Sequence, residues 1–401
     1  MLPALRAGRQ VPLVPRSGRV PPAPLGPAGQ TKNRLHQARP PENIPPLPQK
    51  DASMNQEPSL TFCVDHFDDS IEGSFVPSEP DKWAVLDERF DNALDSLEAG
   101  RVNEQGFVSE CKAILKLEPY FLDAYAHLGN HGHANGKSSA YSWYKKGYEL
   151  GLKLVPSNFE GTISWGILEN RPFLRCHHGY LLGLIERKKF EDVIFQMQRH
   201  LTWNPNDNIG IRYLLGDAYL AAGKLEEARP ILEEMSAEYP PSCYSLGLLE
   251  LVQRRFVQAA TALRKGFLGN PYVAEALLGR AILHPHAFWH GTSDMAPETA
   301  MAYVSGLGAD LWLPDENALT FLDWLFNCSD VLRERAELLA FREQLLYEHD
   351  VARRGDIIEA ESKFLDAFGD NLSVKLIRTV TDRDGQRQWP WEVKGWHEMS
   401  F

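Results

Sequence analysis

One block of sequence occurs twice, at a fixed spacing of 31 residues. Six residues of the first copy return in the second as the pairs Tyr213 and Tyr244, Leu215 and Leu246, Gly216 and Gly247, Ala228 and Ala259, Leu232 and Leu263, and Pro240 and Pro271. A repeat of this length is one supersecondary unit that cannot bury its apolar face alone. The repeat therefore predicts stacked units that share a continuous core.

The order of residues within each copy predicts a pair of helices. The first copy reads, in sequence, Leu215, Gly216, Tyr219, Ala228, Leu232 and Pro240. This order matches the L-G-x2-Y, A-x3-F, P pattern of tetratricopeptide repeats, whose period is about 34 residues. Gly216 lets the partner helix approach closely, and Gly223 suits the positive φ at the end of a first helix. The spacing of 31 residues is shorter than this period, and the missing residues fall between Pro240 and Leu246. We therefore expect a tight turn there.

Weaker copies extend the repeat upstream. Residues 175–205 carry apolar side chains at matching positions, and Leu128-Gly129 occupies the L-G slot of an earlier copy. We therefore predict about four repeats over residues 101–275, which meets the requirement for three or more. Proline lacks the donor that a helix interior needs. Four prolines should accordingly lie just beyond helices, namely Pro119, Pro205, Pro240 and Pro271.

The remaining segments complete an all-α prediction. Residues 54–100 are expected to form an N-terminal extension and a first helix, residues 276–314 a linker with an A-x-A-Y helix, and residues 315–401 a helical cap and tail. Two helices are predicted over 315–368, and the pattern after Asp370 indicates a small β-hairpin. The predicted fold is a right-handed tetratricopeptide-type helical solenoid with a helical C-terminal cap.

Residues 1–53 differ in composition from the rest. The first 50 residues hold 12 of the 27 prolines and eight Lys or Arg against one acid, Glu42, without apolar periodicity. Such a composition predicts disorder, because too little surface can be buried to offset the entropy of folding. Either these residues are a disordered tail or translation starts at Met54, and the sequence leaves both open.

The body of the chain is acidic. The formal net charge is −12, and without the first 50 residues 34 Lys and Arg stand against 53 Asp and Glu. A body this acidic repels a polyanion, so nucleic acid is not expected as a partner. No apolar run approaches the roughly 18 residues of a spanning helix, so no membrane role is expected. The five cysteines form no C-x-x-C motif, which favours a reducing, cytoplasmic location.

The stretch after the last repeat resembles a known family. It reads Asn270-Pro271-Tyr272-Val273, followed by Gly291, Ser293, Glu298, Ala300, Ala302-Tyr303 and Trp312. This order resembles the suppressor of tumorigenicity seven family and its bacterial tetratricopeptide relatives, and the likeness covers about residues 118–325. The resemblance implies a helical-repeat protein without established chemistry.

The candidate binding site is the concave face of the stack. First helices of tetratricopeptide repeats line that face, and the fifth and ninth residues of each repeat project into it. With Gly216 and Gly247 as eighth residues, the predicted groove residues include Tyr213, Asp217 and Tyr244. The weaker upstream copy adds His178, with Arg175 nearby. We expect an exposed ladder of Tyr213, Asp217 and Tyr244 that binds an apolar or basic protein segment. The alternative is that these residues pack against the next repeat or a folded-back C-terminal helix.

One histidine cluster offers an alternative function. His284, His286 and His290 lie within seven residues, and imidazole binds zinc, copper, iron or nickel. Pro285 excludes a regular helix at that point, and no known zinc, nucleophile or phosphate-loop motif is present. We therefore predict a non-enzymatic protein-interaction scaffold without metal or cofactor. The alternative is a metal-dependent hydrolase or oxygenase that uses the three histidines.

Overall fold

The computed structural model describes residues 58–136, 139–280, 284–382 and 384–393. The predictions for residues 1–53 therefore lie outside the described residues. The chain divides into two compact units, of which the first extends to Gly183 and includes Thr202–Asn206. The second unit comprises Leu184–Leu201 and the chain from Asp207 onward.

The first unit contains a β-hairpin and two helical hairpins. Strand β1 (Leu60–His66) pairs antiparallel with β2 (Ile71–Pro77). The helices are α1 (Pro80–Glu98), α2 (Glu104–Leu117), α3 (Leu122–Ala134) and α4 (Ser139–Leu152). Helix α1 packs on α2, and α3 packs on α4. Their apolar faces meet in a core of Leu86, Phe90, Phe107, Val108, Cys111, Ile114, Phe121, Ala124 and Leu128.

The β-hairpin is anchored by one buried amide side chain. Asn170 Nδ2 donates to the carbonyl oxygen of Gly73 at 3.0 Å, and its Oδ1 accepts from the backbone N–H of Phe75 at 3.2 Å. Phe75 is buried, with its ring centroid 4.9 Å from that of Phe173. The sequence predicted only an extension and a first helix in this region, because the strands are short and their anchor lies about a hundred residues away in the chain.

The second unit is built of helices and a minimal second hairpin. Two helices contribute residues to both units, α5 (Arg171–Glu186) and α6 (Phe190–Trp203). The helices that follow are α7 (Arg212–Ala221), α8 (Leu225–Met235), α9 (Pro240–Val252), α10 (Phe256–Gly269), α11 (Pro271–Leu277), α12 (Pro297–Tyr303), α13 (Ala309–Trp312), α14 (Glu316–Phe326), α15 (Ser329–Tyr347), α16 (Val351–Asp366) and α17 (Asn371–Leu376). Strands β3 (Val380–Thr381) and β4 (Arg387–Gln388) pair antiparallel.

The two copies of the repeat are successive helical hairpins. Helix α7 packs on α8, and α9 packs on α10. The all-α, helical-repeat fold class is confirmed. Each of the four prolines follows the end of a helix as predicted, and Pro240 and Pro271 are also the first residues of α9 and α11. That position suits proline, because the first N–H groups of a helix have no intrahelical acceptor.

Three local predictions are wrong. No turn separates Pro240 from Leu246, because α9 already begins at Pro240. Three helices rather than two occupy 315–368, since the stretch from Leu319 to Leu346, expected as one helix, is interrupted between α14 and α15. Residues 374–376 belong to α17 rather than to a strand, although the predicted hairpin does follow at Val380.

Candidate functional site

The first helices of the two repeats are held close to their second helices by glycine. A Cβ atom added to Gly216 would lie 2.6 Å from Cδ2 of Leu232, and one added to Gly247 would lie 2.6 Å from Cγ of Leu263. The equivalent contacts recur one repeat later, as the sequence spacing predicts. Tyr219 is buried, and its hydroxyl accepts a hydrogen bond from Nε2 of Gln198 on α6 at 2.7 Å. The backbone of α7 and α9 is therefore fixed in position.

Asp217 on α7 is a buried carboxyl group. It is only 3% exposed, its carboxyl group is hydrogen-bonded to Ser245 on α9, and Oδ1 has no hydrogen-bond partner in the described part of the chain. Burial raises the pKa of Asp217 from 3.8 to about 7, and the hydrogen bond from Ser245 opposes that rise. Ionisation is disfavoured because a charge is costly to remove from water. The side chain is thus poised between its protonated and ionised forms near neutral pH.

A series of buried side-chain hydrogen bonds, which we call the polar chain, connects Asp217 to a segment that is distant in sequence. Ser245 Oγ and Tyr303 Oη are hydrogen-bonded at 2.9 Å, and the indole N–H of Trp312 donates to Tyr303 Oη at 3.2 Å. All three side chains are buried. The chain links the two first helices of the repeats to residues about sixty to ninety positions later in sequence. The periodicity of the sequence did not predict these hydrogen bonds.

The segment that carries Tyr303 and Trp312 covers the side of α7 and α9 that carries Asp217 and Ser245, which we call the α7–α9 face. The segment consists of α12, a π-helical turn at Val304–Gly308 and α13. The turn and α13 pack against α7, and α12 packs against α9. Asp310 on α13 also forms a salt bridge with Lys188, in which Oδ1 and Nζ are 3.0 Å apart. A segment of the same chain therefore lies where the sequence predicted an open groove.

The predicted ladder of Tyr213, Asp217 and Tyr244 is not an exposed surface. Tyr244 is fully buried, and its hydroxyl donates to the carbonyl oxygen of Asn270 at 2.6 Å. The expectation that Tyr244 and Asp217 face solvent is wrong, because both are buried. Asp217 lies under α12 and α13, whereas the Tyr244 ring packs against α10, where a Cβ atom added to Gly266 would lie 2.8 Å from it. Packing under a later segment of the chain, as in the alternative, accounts for the burial of Asp217, whereas Tyr244 packs within its own repeat.

Tyr213 differs from its neighbours, because it stays partly exposed. Its ring stacks on that of Tyr239 with centroids 4.5 Å apart. Partial burial and then the negative charge of Glu238 raise the pKa of Tyr213, the positive charge of Arg212 opposes that rise, and Asp294 and Asp207 add to it more weakly. Neither carboxylate has a salt-bridge partner among the residues that the structure describes. We call Tyr213, Tyr239, Glu238 and Asp294 the aromatic–acidic patch.

Arg175 and His178 lie in the first unit and are considered within it. Arg175 Nη1 donates to Oδ1 of the buried Asp123 at 2.8 Å, and its guanidinium lies 5.6 Å from the ring centroid of Trp165. Burial lowers the pKa of His178 to about 4, so its imidazole is neutral at physiological pH. Arg175 thus neutralises a buried acid, and a contact of either residue with a partner stays a prediction.

Two of the three histidines in the alternative metal site are hydrogen-bonded to Tyr272. The backbone N–H of His286 donates to Tyr272 Oη at 2.8 Å, and Tyr272 Oη is hydrogen-bonded to Nε2 of His290 at 2.7 Å. His284 is exposed. Across the described ranges, no three His, Cys, Asp or Glu side chains are grouped so that they could hold a metal ion. The geometry does not favour the hydrolase or oxygenase alternative.

Comparison with known proteins supports the repeat assignment. Residues 184–246 match the family model of the tetratricopeptide repeat, so the chain contains tetratricopeptide repeats in this stretch. No curated protein matches the chain. The resemblance to the suppressor of tumorigenicity seven family therefore stays a proposal. Within the described residues, no helix combines the length and apolar character that crossing a membrane requires.

Proposed function

We propose that this chain is a non-enzymatic protein-interaction scaffold that binds a segment of a partner protein at the aromatic–acidic patch beside the α7–α9 face. Tetratricopeptide repeats generally mediate protein–protein contacts, and the matched stretch includes α7 and α8. The observation that carries the proposal is the stacked pair Tyr213 and Tyr239, bordered by two carboxylates without salt bridges in the described residues.

The patch selects a cationic segment by its chemistry. A Lys or Arg side chain placed over the face of a tyrosine ring contributes roughly 0.5–2 kcal/mol of favourable cation–π interaction energy, depending on how far the pair is desolvated. Glu238 and Asp294 would add charge-assisted hydrogen bonds to the same cation. Tyrosine supplies a large contact area with few rotatable bonds, so little entropy is lost on binding. These features favour a basic segment, which is one of the two classes that the sequence predicted.

Partner capture with matched variants tests this proposal. The double variant Glu238→Gln/Asp294→Asn removes both charges with little change of shape, and Glu234→Gln removes an exposed charge on α8 as the control. Full-length chains are used to capture partners from the native cell, and the affinity of any recurring protein is then measured by calorimetry. We expect at least a tenfold loss of affinity in the double variant, corresponding to about 1.4 kcal/mol, and no loss in the control. Equal affinity in all three chains, or no recurring partner, would contradict the proposal.

A further inference from the structure

We propose that residues Pro297–Trp312 are a displaceable internal ligand of the α7–α9 face, and that a helical segment of a partner competes with them there. This inference rests on the proposed scaffold function and extends it to regulation. The patch ends at Asp294, three residues before α12 begins. A partner bound at the patch therefore meets the start of the internal ligand.

The internal ligand is held by side-chain contacts of the kind that join two proteins. Apolar contact comes from its buried residues Ala300, Leu307 and Trp312. Specificity comes from the hydroxyl of Tyr303, which is bonded to both Ser245 and Trp312. The salt bridge from Lys188 to Asp310 is largely exposed, so it adds little strength. A single aromatic hydroxyl thus joins the segment to the polar chain of the face.

The internal ligand is weakly structured on its own. Helix α12 has seven residues and α13 has four, and the five-residue π-helical turn between them contains Gly306 at φ −90° and ψ −132°, outside helical geometry. Helices this short are not stable alone, since nucleation costs more than a few hydrogen bonds return. On the solvent side of the segment, Met301 is 50% exposed. Leu313, which follows the segment directly, is 54% exposed. We therefore expect this segment to open at a lower free energy than α7 and α9.

The internal ligand also leaves the face incompletely satisfied. Oδ1 of Asp217 has no partner in the described chain, and neither has Oγ of Ser242, one turn before Ser245 on α9. A buried acceptor without a donor weakens the closed state. A partner segment that places an aromatic hydroxyl on Ser245, as Tyr303 does, and a Lys, Arg or amide donor on Asp217 would satisfy the carboxyl oxygen that the internal ligand leaves without a donor. The face therefore fits a helical segment with an aromatic residue and a nitrogen donor.

Hydrogen exchange of the full chain tests displaceability without any partner. Tyr303→Phe removes the hydroxyl and keeps the ring, and Tyr347→Phe makes the same change at a tyrosine that is 66% exposed on α15. We expect amides 298–312 of the wild type to exchange faster than those of α7 and α9. In Tyr303→Phe they should exchange at least tenfold faster again, and in Tyr347→Phe they should be unchanged. Exchange of 298–312 only at the rate of global unfolding, in wild type and variant alike, would overturn the proposal.

A binding measurement in trans tests whether the face accepts a segment. The probe is a labelled synthetic peptide of residues 296–313, with a second peptide carrying phenylalanine at position 303 as the control. Intramolecular binding has an effective concentration of about millimolar, so the tethered segment should exclude the peptide from the wild-type chain. We expect at least tenfold tighter binding to Tyr303→Phe than to wild type, and weaker binding of the control peptide. Absence of binding to Tyr303→Phe would overturn the proposal.

The two proposals fail separately. The Glu238→Gln/Asp294→Asn chain should show unchanged exchange of 298–312, because neither carboxylate belongs to the polar chain. A displaceable segment with no cationic partner at the patch would support the displacement of Pro297–Trp312 and contradict the scaffold function proposed for the patch. A permanently closed segment with a partner at the patch would do the reverse.

Discussion

Asp217 shows how a single residue depends on a distant part of the chain. Its position on α7 follows from the repeat, and its burial follows from α12 and α13. The carboxyl group receives one hydrogen bond from Ser245, while Tyr239 and Tyr303 lie close enough for a charge on Asp217 to raise their pKa values. Burial among these uncharged groups favours the protonated form of Asp217 below about pH 7.

Removing the ionisable group should change the pH dependence of stability. The folded protein holds the Asp217 proton up to about pH 7, whereas the unfolded chain releases it near 3.8. The contribution of this group to the free energy of unfolding therefore falls by on the order of 4 kcal/mol as the pH rises from about 4 to 7. Above about pH 7 the contribution is constant. Asp217→Asn should gain stability relative to wild type over that interval in denaturant titrations. The neutral His178, whose pKa is lowered, acts in the opposite direction but cancels in the comparison. A constant difference at all pH values would show that Asp217 is not raised in pKa.

The close approach at Gly216 gives a second prediction at this scale. A leucine there must displace Leu232, because even a Cβ would lie 2.6 Å from it. Gly216→Leu should lower the free energy of unfolding by about 1–3 kcal/mol through overpacking. Gly355→Leu on α16 is the control, since a Cβ there meets no atom within 4 Å. An unchanged melting temperature in Gly216→Leu would contradict the packing described above.

At the scale of elements, the C-terminal tail has a structural role that the sequence did not indicate. Trp391 is buried, with its ring centroid 4.6 Å from that of Phe321 and 5.1 Å from that of Trp324 on α14. Trp389 stacks on it at 5.2 Å. The tail therefore closes the apolar side of α14.

Truncating this anchor should destabilise the second unit. Trp391→Ala removes a large buried side chain, and substitutions of this kind cost about 3–5 kcal/mol. Trp289→Ala is the matched control, because Trp289 is 36% exposed. In calorimetry, the melting temperature of Trp391→Ala should lie several degrees below that of Trp289→Ala. Equal melting temperatures would mean that the tail does not contribute to the fold.

Elements differ in how far the sequence predicted them. Helices α7 to α10 were predicted well, because periodic apolar residues and the glycines at 216 and 247 report contacts between neighbours in the chain. The β1–β2 hairpin and the cover of the α7–α9 face were not predicted, because Asn170 and Tyr303 act on residues that are distant in sequence. Of the two predicted groove tyrosines, Tyr213 is partly exposed, whereas Tyr244 is buried against α10.

At the scale of the whole molecule, the first 53 residues should be dispensable for folding. They have no apolar periodicity with which to dock on the body. A chain that begins at Met54 should keep its melting temperature and its helix content by circular dichroism. Loss of cooperative unfolding in the shortened chain would show that the segment packs on the body.

The central claim is that a partner segment binds beside the α7–α9 face, and site-specific photo-crosslinking tests it most directly. A benzophenone amino acid is placed at position 213 of the full-length chain in its native cell, and at position 347 on α15 as the control. The aromatic–acidic patch predicts a recurring crosslink from position 213 to a basic segment of one partner, identified by mass spectrometry and absent at position 347. Crosslinks only within the chain, or the same proteins at both positions, would contradict the claim.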